Sequence, residues 1–255
     1  MSKSTNTKNS IKGTVIVSLI LILFSFSIYS LTKKKNKYEK IKIKYNLPFV
    51  KSNGDVGNVT DSLSIIYKGN NIIYEIPYYY YSKKKETLGR TKTIFKYFVY
   101  QNGSELGTWF DSINAPNKKT EKIINIHKEK TILSPPDLFD ETNDVLINTI
   151  RNKEGYTTIE TYIPKFKKDL TYPDTMKVYY KNRLKNIDYS LSKKLDSLKK
   201  LKVFKIRFIF NTKLTKDYPY RTQNKELNIS IQEDSSSNAS SYDYLINNII
   251  TKYKL

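Results

Sequence analysis

The sequence predicts an α+β fold, in which an N-terminal transmembrane helix precedes a mostly antiparallel β-sheet domain with a few helices. Three observations support this prediction. One stretch of 20 residues near the N-terminus contains no charged side chain. Short runs of β-branched and aromatic residues, bounded by turn residues, follow it and are typical of strands. Three later segments place apolar residues at the i, i+3, i+4 spacing of an amphipathic helix.

The uncharged stretch covers residues 13–32 of the 255-residue chain. About 20 residues at 1.5 Å each are enough to cross the roughly 30 Å hydrocarbon core of a bilayer. A cleaved signal peptide is the alternative, because a basic tail precedes the stretch and residues 25–30 contain three serines, although no Ala-x-Ala is present. We therefore expect a transmembrane signal anchor behind a short basic tail at residues 1–12.

The charges around this stretch bear on the orientation of the chain. The membrane-flanking lysines are Lys12, Lys33, Lys34, Lys35 and Lys37. More lysines follow the span than precede it, which by the positive-inside rule favours a cytoplasmic domain. The order of a short tail, one span and a long domain instead favours export of the domain, because long domains translocate largely regardless of charge. We expect a single-pass membrane protein with an extracytoplasmic, periplasmic domain, and the cytoplasmic side is the alternative.

The region after the span divides into a basic stalk at residues 33–44 and a folded domain at 45–255, with a candidate internal boundary at 164–174. Turn dipeptides predict two hairpins, one at Gly69-Asn70 and one at Asn102-Gly103. Their predicted strands cover residues 62–68, 71–76, 93–101 and 105–110. Further strands are predicted at 121–126, 157–163, 176–180, 203–210 and 226–231.

Helical spacing predicts three helices after the span. The first follows Pro135-Pro136 and covers residues 137–149, the second covers 190–200, and the third covers 242–253. The acidic residues Asp137, Asp140, Glu141 and Asp144 would share one face of the first helix. The helix dipole favours acids near a helix N-terminus, and a docking face for a basic partner is the second interpretation.

The formal net charge of +21 comes mainly from two blocks. Residues 1–44 hold ten Lys and one Glu, and residues 164–207 hold 14 Lys and Arg against four Asp. In the second block, the 190–200 segment reads as a basic amphipathic helix, which could contact an acidic protein surface, nucleic acid or anionic lipid. An ordinary solvated face is the alternative. The candidate contact residues are Lys181, Arg183, Lys185, Lys193, Lys194, Lys199 and Lys200.

Few residues of the chain indicate catalysis. The sequence contains no Cys, which excludes thiolate chemistry and Cys-bound metals. The single histidine, His127, reads as a surface imidazole, and no phosphate-binding loop, dinucleotide fingerprint or nucleophile elbow is present. Asp169 and Asp174 are a candidate carboxylate pair for a hydrolase, but their spacing in sequence does not establish a working separation. No catalytic residue, metal or cofactor is predicted.

These observations predict a non-enzymatic protein that acts by binding. The leading hypothesis is a membrane-anchored binding or assembly component of a bacterial envelope complex, with the lipid bilayer and other proteins as its partners. The alternative is a protein on the cytoplasmic face that binds nucleic acid or anionic lipid through the basic 164–207 segment.

Overall fold

The computed structural model describes residues 38–51, 55–84, 87–137, 139–152, 157–167, 172–181, 187–211, 224–234 and 239–252. In these ranges, the chain forms one antiparallel sheet of 11 strands and three α-helices. The strands are β1 (Glu39–Val50), β2 (Val56–Lys68), β3 (Asn71–Lys84), β4 (Thr87–Gln101), β5 (Leu106–Phe110), β6 (Asn117–Lys122), β7 (Asp144–Arg151), β8 (Thr157–Pro164), β9 (Thr175–Lys181), β10 (Lys202–Phe210) and β11 (Lys225–Glu233). The helices are α1 (Ile123–Glu129), α2 (Lys193–Lys199) and α3 (Ala239–Lys252), with a 3₁₀ turn at Thr131–Leu133. The predicted sheet-rich domain is therefore confirmed.

The sheet consists of two meanders that join at the first and last strands. Its order is β6-β5-β4-β3-β2-β1-β11-β10-β9-β8-β7. Adjacent strands are therefore consecutive in sequence except β1 and β11, and the consecutive strands β6 and β7 form the two edges. At that seam, Ile43 lies opposite Ile231. Both predicted hairpins are confirmed, and their turns use Gly69 at φ 57° and Gly103 at φ 85°, backbone angles that glycine adopts without strain.

A large apolar core lies on one face of the sheet, which we call the inner face. Alternate residues of the strands supply it, among them Ile41 and Ile43 of β1, which are 1% and 0% exposed. Helix α1 adds Ile126 and helix α2 adds Leu195, both almost fully buried. A cavity of about 20 Å³ remains between α2 and the sheet, which is room for about one water molecule. This face is therefore packed.

A second, smaller core lies on the opposite face, where α3 covers β2 to β5. The helix contributes Tyr242, Leu245, Ile246 and Ile249, at the spacing that the sequence predicts. The Tyr242 hydroxyl donates to Glu75 Oε2 at 2.7 Å and fixes the start of the helix to the sheet. The expected docking of the C-terminal helix on an apolar surface is confirmed.

The predicted helix at 137–149 is wrong. Residues 144–151 form β7, in which Val145 lies opposite Ile163 and Ile150 opposite Ile159 of β8. This segment is rich in β-branched residues, which favour a pleated strand, and its helical spacing is coincidental. The four acids therefore do not share a helix face. Asp137 instead accepts hydrogen bonds from Ser192 Oγ at 2.8 Å and from the Lys194 N–H at 2.9 Å, where α2 begins.

Two other predicted boundaries differ from the structure. The folded domain begins before residue 45, because β1 starts at Glu39 and includes the last six residues of the predicted stalk. Their lysines alternate with the buried Ile41 and Ile43, a strand pattern that the high charge obscured. The predicted strand at 121–126 ends at Lys122, because the following residues form α1.

None of the helices in the described ranges is long and apolar enough to cross a bilayer. The predicted transmembrane residues 13–32, the basic tail and the flanking lysines Lys12, Lys33, Lys34, Lys35 and Lys37 lie outside those ranges.

Candidate binding face

The strands from β9 to β1 place a row of basic side chains on the face opposite the inner face. Alternation along each strand fixes this, because Met176, Val178 and Tyr180 are buried in the core while their neighbours point the other way. The described helices pack elsewhere, α1 and α2 on the inner face and α3 over β2 to β5. We call this surface the open face. It consists of Lys42, Lys44, Lys177, Tyr179, Lys181, Phe204, Lys205, Arg207 and Glu226.

The cross-strand register brings these side chains together from distant parts of the sequence. Arg207 lies opposite Lys177 on β9, and Lys205 lies opposite Tyr179. On the other side of β10, Lys205 lies opposite Ser230, which in turn lies opposite Lys44. Because adjacent strands are about 4.8 Å apart, the cations form a compact patch rather than a line along the chain.

Aromatic rings hold two of the lysines in place. The Lys205 Nζ lies 5.1 Å from the centre of the Tyr179 ring, and the Lys181 Nζ lies 6.0 Å from the centre of the Phe204 ring. The two rings meet edge to face, with centres 6.3 Å apart. These distances are within the range of cation–π attraction, which restricts the lysine side chains. The open face is therefore a partly ordered array of positive charge.

A single carboxylate lies within the array. Arg207 Nη2 donates to both oxygens of Glu226, at 2.8 and 2.7 Å. This hydrogen bonding holds the pKa of Glu226 below its usual range, and the charge of Lys177 adds to the effect. Hydrogen bonds to Glu226 and Tyr179 raise the pKa of Arg207 in the same way. Six basic residues thus share one acid, and no described carboxylate forms a salt bridge with the five lysines of the open face.

The structure divides the sequence-predicted contact residues between two faces. Lys181 lies on the open face, and Arg183 and Lys185 lie outside the described ranges. Lys193, Lys194, Lys199 and Lys200 belong to α2 and its C-terminal end, so they lie on the inner side of the sheet. The seven residues therefore do not form one surface.

The predicted helix in the second basic block is confirmed, at Lys193–Lys199, but much of its charge has a structural role. Ser192 caps the helix, since its Oγ accepts from the Leu195 N–H at 3.2 Å. Lys199 pairs with the buried Glu160 at 2.8 Å. Lys202 pairs with Asp196 at 3.0 Å and ties the helix to β10. Three predicted contact lysines of α2 and its C-terminal end are exposed and form no ion pair among the described residues, namely Lys193, Lys194 and Lys200.

Sequence reasoning missed most of the open face because it treated the lysines as a linear block. The signal was present as Lys177-x-Tyr179-x-Lys181 and Lys205-x-Arg207, where charge recurs at the period of two that marks one face of a strand. Lys42 and Lys44 show the same spacing, although the sequence prediction assigns them to the stalk.

The remaining candidate groups have structural partners. His127 is partly buried rather than a surface residue, and its Nε2 lies 3.0 Å from the Tyr74 hydroxyl, which lies 2.5 Å from that of Tyr100. Burial lowers the pKa of His127, and the nearby Lys193 lowers it further. Asp174 pairs with Lys167 at 2.6 Å and accepts from the Asn211 N–H, while Asp169 lies outside the described ranges.

Within those ranges, no group of three or more His, Asp and Glu side chains is arranged to hold a metal ion. The described residues thus define a sheet-rich domain, a single antiparallel sheet with helices on both faces. Comparison of the chain with protein-family models and with curated protein sequences found no match.

Proposed function

We propose that this chain is a single-pass, membrane-anchored binding protein of a bacterial envelope complex, and that its open face holds an acidic surface of a partner protein. The open face carries the proposal, because it gathers six cations and one neutralised acid on a sheet surface that no described helix covers. Complementary charge of this kind gives an interface its specificity and speeds association.

A protein partner fits this surface better than single-stranded nucleic acid. Proteins that bind single-stranded nucleic acid stack its bases on free aromatic rings. On the open face, Lys205 lies over Tyr179 and Lys181 lies over Phe204, so lysines occupy these rings. The lysine ammonium groups remain available to carboxylates at their outer side.

The predicted anchor places this interaction close to the bilayer. Six residues separate the predicted span, which ends at Thr32, from the start of β1 at Glu39. Fully extended, six residues reach at most about 20 Å. A tether this short favours a partner that is itself a membrane component or is held at the membrane surface, which agrees with an assembly role.

Site-specific photo-crosslinking in the source cells tests the proposal. Thr161 of β8 lies at the border of the open face, opposite Lys177, so a benzophenone amino acid at this position should yield an adduct with a protein whose crosslinked segment is acidic. The matched control carries the same group at the exposed Ser197 of α2, on the inner side of the sheet, and should not yield this adduct. Adducts with lipid or nucleic acid alone, or equal adducts from both positions, contradict the proposal.

The second candidate is a protein of the cytoplasmic face that binds anionic lipid or nucleic acid. The excess of lysines after the predicted span favours it. A reporter fused after Leu255 separates the two candidates. Activity only outside the cytoplasm is expected, and activity only inside it would remove the envelope proposal.

A further inference from the structure

The two edges of the sheet differ in how they are protected against pairing with another strand. An edge strand presents unpaired backbone N–H and C=O groups, and proteins usually block it with lysines, proline or a cover. The edge strand β6 carries lysines at 118, 119 and 122 within six residues. The other edge strand, β7, has no charge between Asp144 and Arg151. Of the two edges, only β6 is blocked by charge.

The uncharged edge is also apolar. Leu146 is 41% exposed, Ile147 is 55% exposed and Ile150 is 52% exposed. Among the described residues, β7 pairs only with β8. The Asp144 N–H donates to the Asp140 carbonyl at 2.7 Å, so the outer backbone edge that is open to a further strand runs from Val145 to Arg151. A strand with these properties is a site for addition of another strand.

A β-bulge makes this strand complementary to a second copy of itself. Seven positions separate Asp144 from Arg151, a spacing that in a regular strand puts two side chains on opposite faces. The register shifts between Leu146 and Asn148, so that Asp144 lies opposite Pro164 and Arg151 opposite Thr158. Pro164 and Thr158 are an even number of residues apart on the regular strand β8, so their side chains share one face. The bulge therefore places the acid and the base on the same face, one at each end.

We propose that two copies of this chain pair through β7, antiparallel about a two-fold axis between Ile147 and Asn148. Asp144 of each copy then lies opposite Arg151 of the second copy, Val145 opposite Ile150, and Leu146 opposite Thr149. Each of these three pairs joins residues of the same face, and the charged pairs close both ends. The proposal is independent of the open face, which lies on β9 to β1 and stays accessible on both copies.

The charged groups are suited to this pairing. Among the described residues, no carboxylate forms an ion pair with Arg151, which is exposed. Asp144 already accepts from the Asp140 N–H at 2.9 Å and from the Tyr172 hydroxyl at 2.9 Å. These bonds orient its carboxylate, and a carboxylate has capacity for further hydrogen bonds.

Disulfide crosslinking of the purified full-length protein in detergent tests the proposal, because the chain has no cysteine. N148C places one thiol beside the axis, where two symmetry-related Cα atoms come within the separation of about 4.4–6.8 Å that a disulfide allows. T120C is the matched control, an exposed polar residue in the middle of the other edge strand. We expect oxidation to convert N148C, and not T120C, mostly to a disulfide-linked dimer. Equal yields of dimer from both variants would overturn the proposal.

A charge reversal gives a second, milder test. R151E places two acids opposite each other at each end of the pairing, which destabilises cross-strand neighbours. We expect the dimer dissociation constant, measured by sedimentation equilibrium in the same detergent, to rise about tenfold. The control K128E changes an exposed residue of α1 and should leave the constant unchanged. A monomeric parent protein, or equal effects of both substitutions, contradicts pairing through β7.

Discussion

Replacing Glu160 by leucine is expected to lower the free energy of unfolding by about 3–5 kcal/mol, as the loss of one partner from a buried charged network does. Glu160 is 6% exposed and accepts hydrogen bonds from the Tyr162 hydroxyl, from the Tyr180 hydroxyl at 2.9 Å and from Lys199 at 2.8 Å. Leucine removes the shared acceptor, and because the two tyrosine hydroxyls can then donate only to each other, at least one of them stays buried without an acceptor. Urea unfolding followed by the fluorescence of Trp109, the single tryptophan, measures the change.

Two companion variants separate the charge from the hydrogen bonds. E160Q keeps an acceptor for the tyrosines and should cost less than E160L. K199M removes a lysine whose side chain is 30% exposed, so it should cost least. An E160L protein as stable as the parent protein would contradict the view that this carboxylate holds α2 against β8 and β9.

The same network predicts a pH dependence. Burial works to raise the pKa of Glu160, but the hydrogen bonds from Lys199, Tyr162 and Tyr180 outweigh it and hold the pKa below the usual 4.5. The unfolded chain therefore binds the proton more readily than the folded protein. The contribution of Glu160 to stability is present above about pH 4.5 and is lost as the pH falls through the folded-state value. E160L should lack this part of the acid sensitivity.

Replacing Phe98 by alanine is expected to cost about 3–5 kcal/mol, the usual range for a fully buried aromatic residue. Phe98 is 0% exposed, and its ring lies over the backbone of Gly107 on the adjacent strand, so a methyl group on Gly107 would overlap the ring. G107A alone should therefore cost about 1–3 kcal/mol through overpacking.

The pair of substitutions distinguishes this close approach from ordinary packing. In F98A/G107A, the new methyl group enters the space that the ring leaves, so the double variant should be less destabilised than the sum of the two single variants. The same unfolding measurement checks this. Additive costs, within about 0.5 kcal/mol, would show that the ring and the glycine are not coupled.

The features that the sequence predicted well are local. The turn dipeptides at Gly69-Asn70 and Asn102-Gly103 determine hairpins from neighbouring residues, and the apolar stripe of α3 depends on one helix alone. The helix prediction is wrong at 144–151 because the apolar residues there fit both the helical and the strand period. Pairing with β8 selects the strand. No local signal could give the seam where β1 meets β11, because its partners lie almost 190 positions apart in sequence.

The candidate site was only partly predictable for the same reason. The second basic block stands out in the sequence by its charge, but its residues divide between a packed face and the open face. Only the sheet order adds Lys42 and Lys44 to Lys177 and Lys205. Glu160 is buried under α2 and pairs with Lys199 of that helix. Lys199 therefore has a structural role and does not belong to the contact surface that the sequence predicts.

The binding of an acidic polypeptide by matched charge-reversal variants tests the central claim most directly. K177E/K205E reverses two charges on the open face, and K193E/K194E reverses two exposed charges on α2, so both variants have the same net charge. With labelled polyglutamate and the full-length protein in detergent, we expect the dissociation constant to rise at least about tenfold for the first variant, a change of about 1.4 kcal/mol, and less than about twofold for the second. Added salt should weaken binding of the parent protein. Equal losses in the two variants would show that net charge, and not the open face, attracts the acidic partner.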